Sequence, residues 1–461
     1  MQRVLKWLGL ALLVVAIAAA GIFFFVLPGL VEARANRVLE PPPYTASPEA
    51  TNLHDELLVA DLHADSLLWG RDLMVRSDTG QVDIPRLSEG NVALQVFSVV
   101  TKSPHGLNIE RNDDKSDDIT LLAIAERWPV ATWFSLKERA LYQAGRLRGF
   151  AGATDGRLVL VRSQRDLRIF LGRRKLEPAL VAGMLSIEGA HALEGNVGNV
   201  DAMFDAGYRM MSLAHFFDTP FAGSAHGVDK GGLTDLGREV VKRMEAKKMI
   251  VDLAHASEKQ IDDVLAIATR PLVVSHTGVR GTCDNRRNLS DAHLKAIAAK
   301  GGLIGIGFWE TATCGRDAAS IARAIRYAAD IAGIDHVALG SDFDGAVPTP
   351  FDASGLVKLT EALLAAGFTP DEIGKVTHCV VKMKRAADLP VGVLTTVKSC
   401  SIIYVILPDY FTTSDLFAIR DALKKLAKLN KHLVFVATRT SSFVRKQVIE
   451  AYPEAIFMEM D

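Results

Sequence analysis

The sequence is poor in cysteine and carries almost no net charge, and each shortage excludes a class of function. The 461 residues include four cysteines, which are scattered and form no CxxC pair. This pattern indicates neither a disulfide framework nor a thiolate zinc site. The formal net charge of −1 provides no overall basic field, so we expect no nucleic-acid partner.

Motifs of several common mechanisms are also missing. The sequence has no glycine-rich phosphate loop, no nucleophile elbow and no cysteine–histidine dyad pattern. Neither phosphate binding nor a serine or cysteine nucleophile is therefore indicated. The chain is instead rich in hydrophobic residues, at 49% against 23% charged residues, which allows a large buried core.

A long uncharged segment begins close to the N-terminus. It runs from Trp7 to Val31, which is longer than the apolar part of a cleaved signal peptide and long enough to cross a bilayer. Two basic residues precede it. We therefore expect residues 1–31 to be a single-pass membrane anchor, with the rest of the chain on the outer (periplasmic or extracellular) side. The alternative is a signal peptide cut after Ala35, which would release a secreted protein.

From residue 59 to 345 the chain alternates short apolar strands with amphipathic helices, such as Leu236–Lys247, Glu258–Ala268 and Ile321–Ala332. Eight such strands predict a (β/α)8 TIM barrel, an α/β fold. The predicted strands are Val59–Asp65, Val92–Val99, Val181–Glu188, Tyr208–His215, Met249–His255, Pro271–His276, Leu303–Phe308 and His336–Asp342. Thr101–Leu180 is too long for one helix, so we expect extra helices and a lid or insertion there.

The regions that flank the barrel have a different composition. Residues 32–50 are rich in proline and small polar residues and predict a stiff linker. The barrel is expected over 51–390, and 391–461 predict a small βαβαβ extension without a nucleotide motif, to which we assign no function. Its predicted elements are the strands Ser401–Leu407, His432–Thr438 and Ala455–Met460 and the helices Ser414–Leu429 and Ser441–Tyr452.

Metal-binding side chains stand at the ends of several predicted strands. His63 and Asp65 alternate along the first strand, and later strands end in Glu188, His255 and His276. Because the C-terminal strand ends of such a barrel meet at one mouth, we expect these residues to lie together. Three imidazoles and two carboxylates are too many for one tetrahedral zinc but suit two zinc ions, with Glu188 as the natural bridge. The predicted reaction class is metal-assisted hydrolysis, most simply of an amide.

The motifs around these residues, taken together and in order, resemble the membrane (renal) dipeptidase family. These are zinc hydrolases with a (β/α)8 barrel, in the amidohydrolase superfamily, and the resemblance spans about residues 55–376. It is carried by DLHAD, IEGAHAL, SLAH followed by FFDTP, DLAHAS, VVSHTG, CDNRRNLSD and GSDFDG. The resemblance divides the five ligands between two zinc ions, one held by His63 and Asp65 and the other by His255 and His276, with Glu188 bridging.

The resemblance also implies roles in substrate binding and catalysis. His215 would contact the scissile carbonyl oxygen, and Arg287 would hold the C-terminal carboxylate of the substrate through its planar guanidinium. Asp342 would be the acid/base that moves a proton from water to the leaving amine. Arg286 is the alternative carboxylate-binding residue, and Asp344 is the alternative acid/base.

Other polar residues receive structural roles. Asp61 shares the metal-binding face and is expected to orient a ligand, and His191 is expected to be packed and hydrogen-bonded. The remaining histidines are expected to be solvated or structural; they are His54, His105, His226, His293, His336 and His432.

The resemblance implies a membrane-tethered dipeptidase, a metalloprotease in which a hydroxide bridging two zinc ions attacks the peptide bond. It also implies tolerance of a D-residue at the C-terminal position, and it is compatible with a homodimer. Another amidohydrolase activity, on an N-acyl amino acid, lactone or cyclic amide, is one alternative, and a catalytically silent, metal-stabilised membrane scaffold is another. After Val376 the chain departs from the family pattern, which affects the closing helix of the barrel and the dimer contact.

Overall fold

Eight parallel strands form a closed barrel in the computed structural model, which describes residues 2–377 and three short strands closer to the C-terminus. The barrel strands are β1 (Val59–Ala64), β2 (Val92–Val100), β4 (Val181–Glu188), β5 (Tyr208–Ser212), β6 (Ile250–Asp252), β7 (Val273–Thr277), β8 (Leu303–Ile306) and β9 (Val337–Leu339). Each pairs with its neighbour along the chain, β2 pairs with β4, and β9 pairs with β1 to close the ring. The predicted TIM barrel is confirmed.

Helices connect the strands, and the buried faces of most of them join the strands in one large hydrophobic core, beside two smaller clusters. Their starts follow local capping rules: Ser257 and Ser290 accept hydrogen bonds from backbone N–H groups of the first turn, and Asp317 forms a capping box with Ser320. The helices after the N-terminal segment are α3 (Pro48–Glu56), α4 (Ile84–Glu89), α5 (Asp118–Ala125), α6 (Ala131–Phe134), α7 (Leu136–Ala153), α8 (Gln164–Arg174), α9 (Asn199–Ala206), α10 (Asp235–Ala246), α11 (Glu258–Ile267), α12 (Asp291–Ala299), α13 (Glu310–Thr313), α14 (Ala318–Ala332), α15 (Val357–Ala365) and α16 (Pro370–Thr377).

The long segment between β2 and β4 contains the extra helices that its length predicts, α5 to α8, and a short strand, β3 (Leu158–Leu160), which pairs with β4. The loop before α5 reaches across the mouth of the barrel. The backbone N–H of Asn112 donates to the carbonyl of His226 at 2.7 Å, and Arg286 lies 2.9 Å from Glu110. This loop is therefore attached to the loops that follow β5 and β7.

The N-terminal segment forms two helices, α1 (Gln2–Phe25) and α2 (Leu27–Ala35). Within the part of the chain that the structure describes, Leu5–Ala35 is the one candidate membrane span, by length and composition. The segment at 32–50, predicted to be a linker, makes contacts with the barrel. Its first residues hydrogen-bond to the barrel, because the backbone N–H groups of Leu39 and Glu40 donate to the loop after β9 at 2.9 Å.

The chain divides into two compact units, 1–378 and 379–461. In the second unit the structure describes three parallel strands, with β11 between the other two. They are β10 (Ile402–Ile406), β11 (His432–Ala437) and β12 (Ile456–Glu459), and they fall within the three strands predicted there. The predicted helices Ser414–Leu429 and Ser441–Tyr452 lie outside the described residues.

Cys283 and Cys314 form a disulfide, which the sequence pattern does not predict. The two cysteines are 31 positions apart and follow different strands, β7 and β8. They meet because β7 and β8 are neighbours in the barrel, so the loops after these strands leave it side by side. Their spacing along the chain carries no sign of this pairing.

Candidate metal centre

The five predicted metal ligands lie together at the C-terminal mouth of the barrel. His63 and Asp65 come from the end of β1, Glu188 is the last residue of β4, His255 follows β6, and His276 lies in β7. All five side chains are buried. The fold thus brings together residues that are up to 213 positions apart in the sequence, because the strands that carry them are parallel and end at the same edge.

Glu188 is at the centre of this group. Its Oε1 atom lies 2.9 Å from Nε2 of His255 and 3.2 Å from Nε2 of His276, and these two nitrogens are 3.0 Å apart. Its other oxygen, Oε2, lies 3.5 Å from Nε2 of His63. The carboxylate therefore faces ligands from both sides of the mouth.

A second cluster of ligand atoms surrounds His63. Its Nε2 atom lies 3.4 Å from Asp65 and 3.8 Å from Asp342, and the three ligand atoms are within 4.8 Å of one another. Behind them, the Ser275 hydroxyl is 2.9 Å from Nδ1 of His276 and 3.3 Å from Nδ1 of His63. One hydroxyl therefore holds two of the imidazole rings with their Nε2 atoms directed into the site.

The predicted substrate-binding residues lie beside the ligands. Nε2 of His215 is 3.5 Å from Glu188, and the two form a third potential ligand group with His255. Geometry alone therefore does not separate His215 from the metal ligands. Arg287 is buried, and its Nη2 atom donates to the carbonyl of His276 at 2.9 Å and lies 3.3 Å from Nε2 of His255. The guanidinium is thus held at the edge of the site.

The backbone at the mouth adopts conformations that side chains usually avoid. His255 and Asp342 both have φ of 61°, and Gly189, which follows the central glutamate, has φ of 93°. A β-carbon at Gly189 would lie 2.3 Å from the ring of His191, so only glycine fits there. Such strained positions persist where the surrounding structure determines them, and they are frequent at functional sites.

Burial governs the electrostatics of the site. It raises the pKa of Asp342 well above its ordinary value, and the carboxylates of Asp65 and Glu188 add to that rise. Burial also raises the pKa of Glu188, and it lowers the pKa of His255 and His276 well below the ordinary histidine value. Three carboxyl groups are therefore crowded around His63, and the carboxylates of Glu188 and Asp65 raise the pKa of its ring well above the ordinary histidine value although burial opposes this rise.

The donor set fits divalent metal ions. Among the described residues, several buried polar atoms of the site have no hydrogen-bond partner, namely Oδ1 of Asp65 and Nδ1 of His215 and His255. Carboxylate oxygens and imidazole nitrogens are the ligands that zinc and similar ions take from proteins. A divalent cation would add positive charge beside these crowded carboxylates.

The two alternative catalytic residues are placed differently. Arg286 is largely exposed and pairs with Glu110 at 2.9 Å, on the outer side of the mouth. Asp344 is fully buried, and its oxygens accept hydrogen bonds of 2.6 Å from the Ser66 hydroxyl and from the backbone N–H of Gln81. Neither residue belongs to the clusters of ligand atoms at the mouth.

Two further polar residues line the back of the site. Asp61 accepts hydrogen bonds from the Ser341 hydroxyl and from the Gln95 amide, each at 2.7 Å, so it braces the strand end that leads to the predicted acid/base. His191 is buried as expected, but neither ring nitrogen has a hydrogen-bond partner among the described residues. Burial lowers its pKa to about 3, and its ring stacks 6.4 Å from that of His215.

Sequence reasoning missed the aromatic layer next to the ligands. His226 is buried, its ring stacks 4.8 Å from that of Phe216, and its Nδ1 donates to the carbonyl of Ile109 at 2.8 Å. The guanidinium of Arg287 lies over the ring of Trp309, 5.2 Å from its centroid, in a cation–π contact. Phe216 stands within the FFDTP motif, but its contact with the site depends on how the loop folds, which no periodicity reveals.

A comparison of the sequence with protein families identifies one match over most of the chain. The sequence profile of the membrane dipeptidases, peptidase family M19, matches residues 48–386. A curated relative from Klebsiella pneumoniae, an uncharacterised protein encoded in the pqqA 5′ region, is 36% identical over 237 residues. The aligned residues are 48% of this chain and 86% of that protein.

Solved structures share the fold. A metallopeptidase from Rhodobacter sphaeroides, liganded with a phosphinate mimic of the dipeptide L-Ala-D-Ala, is 25% identical with a TM-score of 0.56, covering 70% of this chain and 96% of that one. The metallopeptidase dipeptidase AC, of family M19, is 26% identical with a TM-score of 0.57 and the same coverage. The probable dipeptidase PvdM from Pseudomonas aeruginosa, at 19% identity and a TM-score of 0.60, supports the fold alone, covering 71% and 94%.

Proposed function

We propose that this chain, which belongs to the membrane dipeptidase family and is a metallo-dipeptidase, works through two zinc ions at the mouth of its barrel. The observation that carries the proposal is the position of Glu188. Its two oxygens face different histidines, His255 and His276 on one side and His63 on the other. A carboxylate between two groups of ligands suits a bridge between two ions.

The ligands divide into two sets around that bridge. His63 and Asp65 would hold one ion, and His255 and His276 would hold the second. Divalent metal ions at such a site lower the pKa of a water molecule and polarise the carbonyl group of the scissile bond. The protein would position these ligands through buried hydrogen bonds, as Ser275 does for two of the rings.

Arg287 and His215 would hold the substrate at opposite ends of the scissile unit. The buried guanidinium of Arg287 would bind the free C-terminal carboxylate, because its planar N–H groups match a carboxylate in a bidentate manner. Burial lowers the pKa of His215 well below the ordinary value, so its ring is neutral. A neutral imidazole can donate one N–H to the carbonyl oxygen of the substrate, where negative charge develops.

Asp342 would carry the proton. Its carboxylate lies 3.8 Å from His63, within the same group of ligand atoms as Asp65, and its pKa is raised by burial. A carboxylate beside the ligands can accept a proton from water and then donate it to the departing amine. The left-handed backbone at this residue fixes the direction of its side chain.

The substrate class that we propose is a dipeptide with an L- or D-residue at its C-terminal position. The related metallopeptidase from Rhodobacter sphaeroides was solved with a mimic of L-Ala-D-Ala, which supports this tolerance. A small substrate also agrees with the loop before α5, which is attached across the mouth at Asn112 and Glu110. A longer peptide would have to displace those contacts.

We propose that α1 anchors the enzyme, with the barrel on the outer side of the membrane. Basic residues precede the apolar helix, as expected for a cytoplasmic N-terminus. The Cys283–Cys314 disulfide supports the same orientation, because disulfides persist in the periplasm and outside the cell and are rare in the cytosol.

The test uses the full chain, purified in detergent. Zinc per chain is measured together with hydrolysis of matched L-Ala-L-Ala and L-Ala-D-Ala substrates, before and after treatment with a chelator. We expect about two zinc ions per chain and chelator-sensitive release of alanine from both dipeptides. Less than one ion per folded chain would contradict the binuclear centre.

The same assay separates the alternatives. Two bound ions with hydrolysis of N-acyl amino acids, lactones or cyclic amides but of no dipeptide would contradict the dipeptide substrate that we propose. Two bound ions without hydrolysis of any of these compounds would favour the silent scaffold.

A further inference from the structure

An exposed apolar segment lies on the insertion at the mouth of the barrel. Trp128–Leu136 is an uncharged stretch between Arg127 and Lys137. It comprises the turn before α6, α6 itself and the start of α7. Trp128 and Thr132 are buried, whereas Val130 and Phe134 are 60% and 85% exposed. Single exposed apolar residues are ordinary, but Pro129, Val130, Ala131 and Phe134 are all exposed within six positions, and such a group marks a surface that binds a partner or a membrane.

The end of the apolar helix α1 lies against this segment. Nη1 of Arg127 donates to the carbonyl of Phe24 at 2.9 Å, and its guanidinium lies 4.5 Å from the ring of Phe25. From Leu5 to Phe25 an α-helix is about 30 Å long, which is the thickness of the hydrocarbon core of a bilayer. Phe24 and Phe25 would therefore lie at the membrane boundary, where arginine and aromatic side chains are favoured.

Hydrogen bonds fix the chain that follows α1 to the mouth end of the barrel. Glu32 forms an ion pair with Arg71, and Arg71 donates to Asp344 at 2.6 Å. Asn36 accepts a hydrogen bond from the backbone N–H of Ala346 at 2.8 Å. These partners follow β1 and β9, at the end of the barrel that carries the metal ligands. The anchor thus reaches the barrel at its mouth and not at the opposite end.

We infer that the mouth end of the barrel faces the bilayer and that Trp128–Leu136 inserts its exposed side chains, Val130 and Phe134, into the lipid surface. The inference rests on the proposed anchoring by α1. Lipid is the occupant that the structure favours, because this surface continues directly from the end of the membrane helix, with Arg127 between them. Substrate then enters from the layer of solvent next to the membrane.

The test places one environment-sensitive fluorophore on the full chain in liposomes. Cys379→Ser and Cys400→Ser remove the cysteines outside the disulfide, and Phe134→Cys then provides the labelling site. Leu176→Cys is the matched control, because Leu176 is 86% exposed and lies before β4, at the end of the barrel away from the mouth. Retained dipeptidase activity shows that both labelled chains are folded.

We expect blue-shifted emission at position 134 and loss of roughly half of its fluorescence when the liposomes contain lipids brominated near the headgroup, because inserted side chains reach this depth. The fluorophore at position 176 should show neither effect. Equal quenching at the two positions would overturn the inference. A blue shift at 134 without quenching would overturn it too, because protein and not lipid would then cover the segment.

Flotation of the same liposomes reports on the anchor separately. A chain that floats but is not quenched at position 134 overturns only the lipid contact. A chain that does not float contradicts the anchor as well, and the lipid contact falls with it. Dipeptide hydrolysis by the labelled chains, measured in parallel, tests the proposed reaction independently of both results.

Discussion

Nη2 of Arg71 lies 2.6 Å from the carboxylate of Asp344, although 273 positions separate the two residues in the chain. Through its Nε atom, the same guanidinium pairs with Glu32, and all three side chains are buried. Asp344 is two positions from the proposed acid/base, Asp342. The segment that follows α1 is therefore connected to the loop that carries Asp342 by a continuous chain of buried polar side chains.

Glu32→Ala should destabilise the barrel in the full-length protein. Arg71 would remain buried with only part of its hydrogen bonding satisfied, which costs roughly 2–4 kcal/mol. Thermal unfolding in detergent measures the loss. Glu40→Ala is the control, because the side chain of Glu40 is exposed while its backbone makes a similar contact with the barrel. Equal midpoints for the two variants would contradict a structural role for the Glu32 pair.

Arg287→Met should weaken the enzyme toward dipeptides while leaving its metal content unchanged. Loss of two charge-assisted hydrogen bonds to the substrate carboxylate predicts a decrease in kcat/KM of roughly 100- to 1,000-fold. Arg286→Met is the matched control, since the adjacent guanidinium is exposed and pairs with Glu110. A larger decrease in kcat/KM for Arg286→Met than for Arg287→Met would identify Arg286 as the residue that binds the substrate carboxylate. The measurement is steady-state kinetics together with zinc per chain.

Asp342→Asn should lower kcat by roughly 100- to 10,000-fold, because the amide cannot accept a proton from water or pass one to the leaving amine. Zinc content and the unfolding midpoint should remain close to those of the wild type. Asp344→Asn should instead lower the unfolding midpoint and leave kcat close to that of the wild type. It removes the negative charge from a buried carboxylate that accepts hydrogen bonds from Ser66, Arg71 and Gln81, so its main effect is on stability. A catalytic defect in Asp344→Asn without loss of stability would favour Asp344 as the acid/base.

The barrel and the composition of its mouth can be predicted from sequence because both depend on local patterns. The short apolar strands and helical periodicities repeat along the chain, and parallel strands must end at one edge. A residue such as His276 at the end of a predicted strand can therefore be placed near His63 from the amino-acid sequence alone. The strand ends shift by a few residues, since β6 is limited to Ile250–Asp252 and His255 lies in the turn that follows.

Contacts made by the loops at the mouth cannot be predicted in the same way. Cys283 and Cys314 meet only because the loops after β7 and β8 leave the same end of the barrel. Glu32 meets Arg71 only because α2 lies against the loop after β1. The spacings between these partners have no period, and each partner alone looks like an ordinary surface residue. The composition of residues 32–50 therefore predicts a linker, although a buried ion pair joins Glu32 to the barrel.

Breaking the disulfide should destabilise the loop that carries Arg287. In the chain-entropy account, the bond closes a loop of 31 residues and lowers the conformational entropy of the unfolded chain. This loss of entropy stabilises the folded protein by about 3–4 kcal/mol. Cys283→Ser combined with Cys314→Ser should lower the unfolding midpoint, and it should raise KM more than it lowers kcat if Arg287 becomes less well positioned. Cys379→Ser combined with Cys400→Ser is the control. Titration of free thiols in the unfolded wild-type chain, with and without reductant, shows whether the bond is present.

His54 should make the stability of the protein sensitive to mild acid. Its ring is buried between Gly90 and Thr360: the carbonyl of Gly90 accepts a hydrogen bond from Nε2 at 3.1 Å, and Nδ1 lies 2.9 Å from the threonine hydroxyl. This arrangement suits the neutral ring, because Nδ1 can then accept the hydrogen bond of the hydroxyl. Burial lowers the pKa of His54, so the folded protein resists protonation at this ring.

The unfolded chain takes up a proton at His54 near pH 6.5, whereas the folded chain does so only at lower pH. Stability is therefore fully present above pH 6.5 and falls as the pH decreases, by about 1.4 kcal/mol per pH unit for this one group, until the pKa of the folded state is reached. His54→Gln should be less stable than the wild type at pH 7.5 but lose less stability between pH 6.5 and 5.5. Urea denaturation across this range measures both slopes. His105→Gln, which replaces an exposed histidine, is the control for the substitution, and parallel slopes for wild type and His54→Gln would show that another group causes the acid sensitivity.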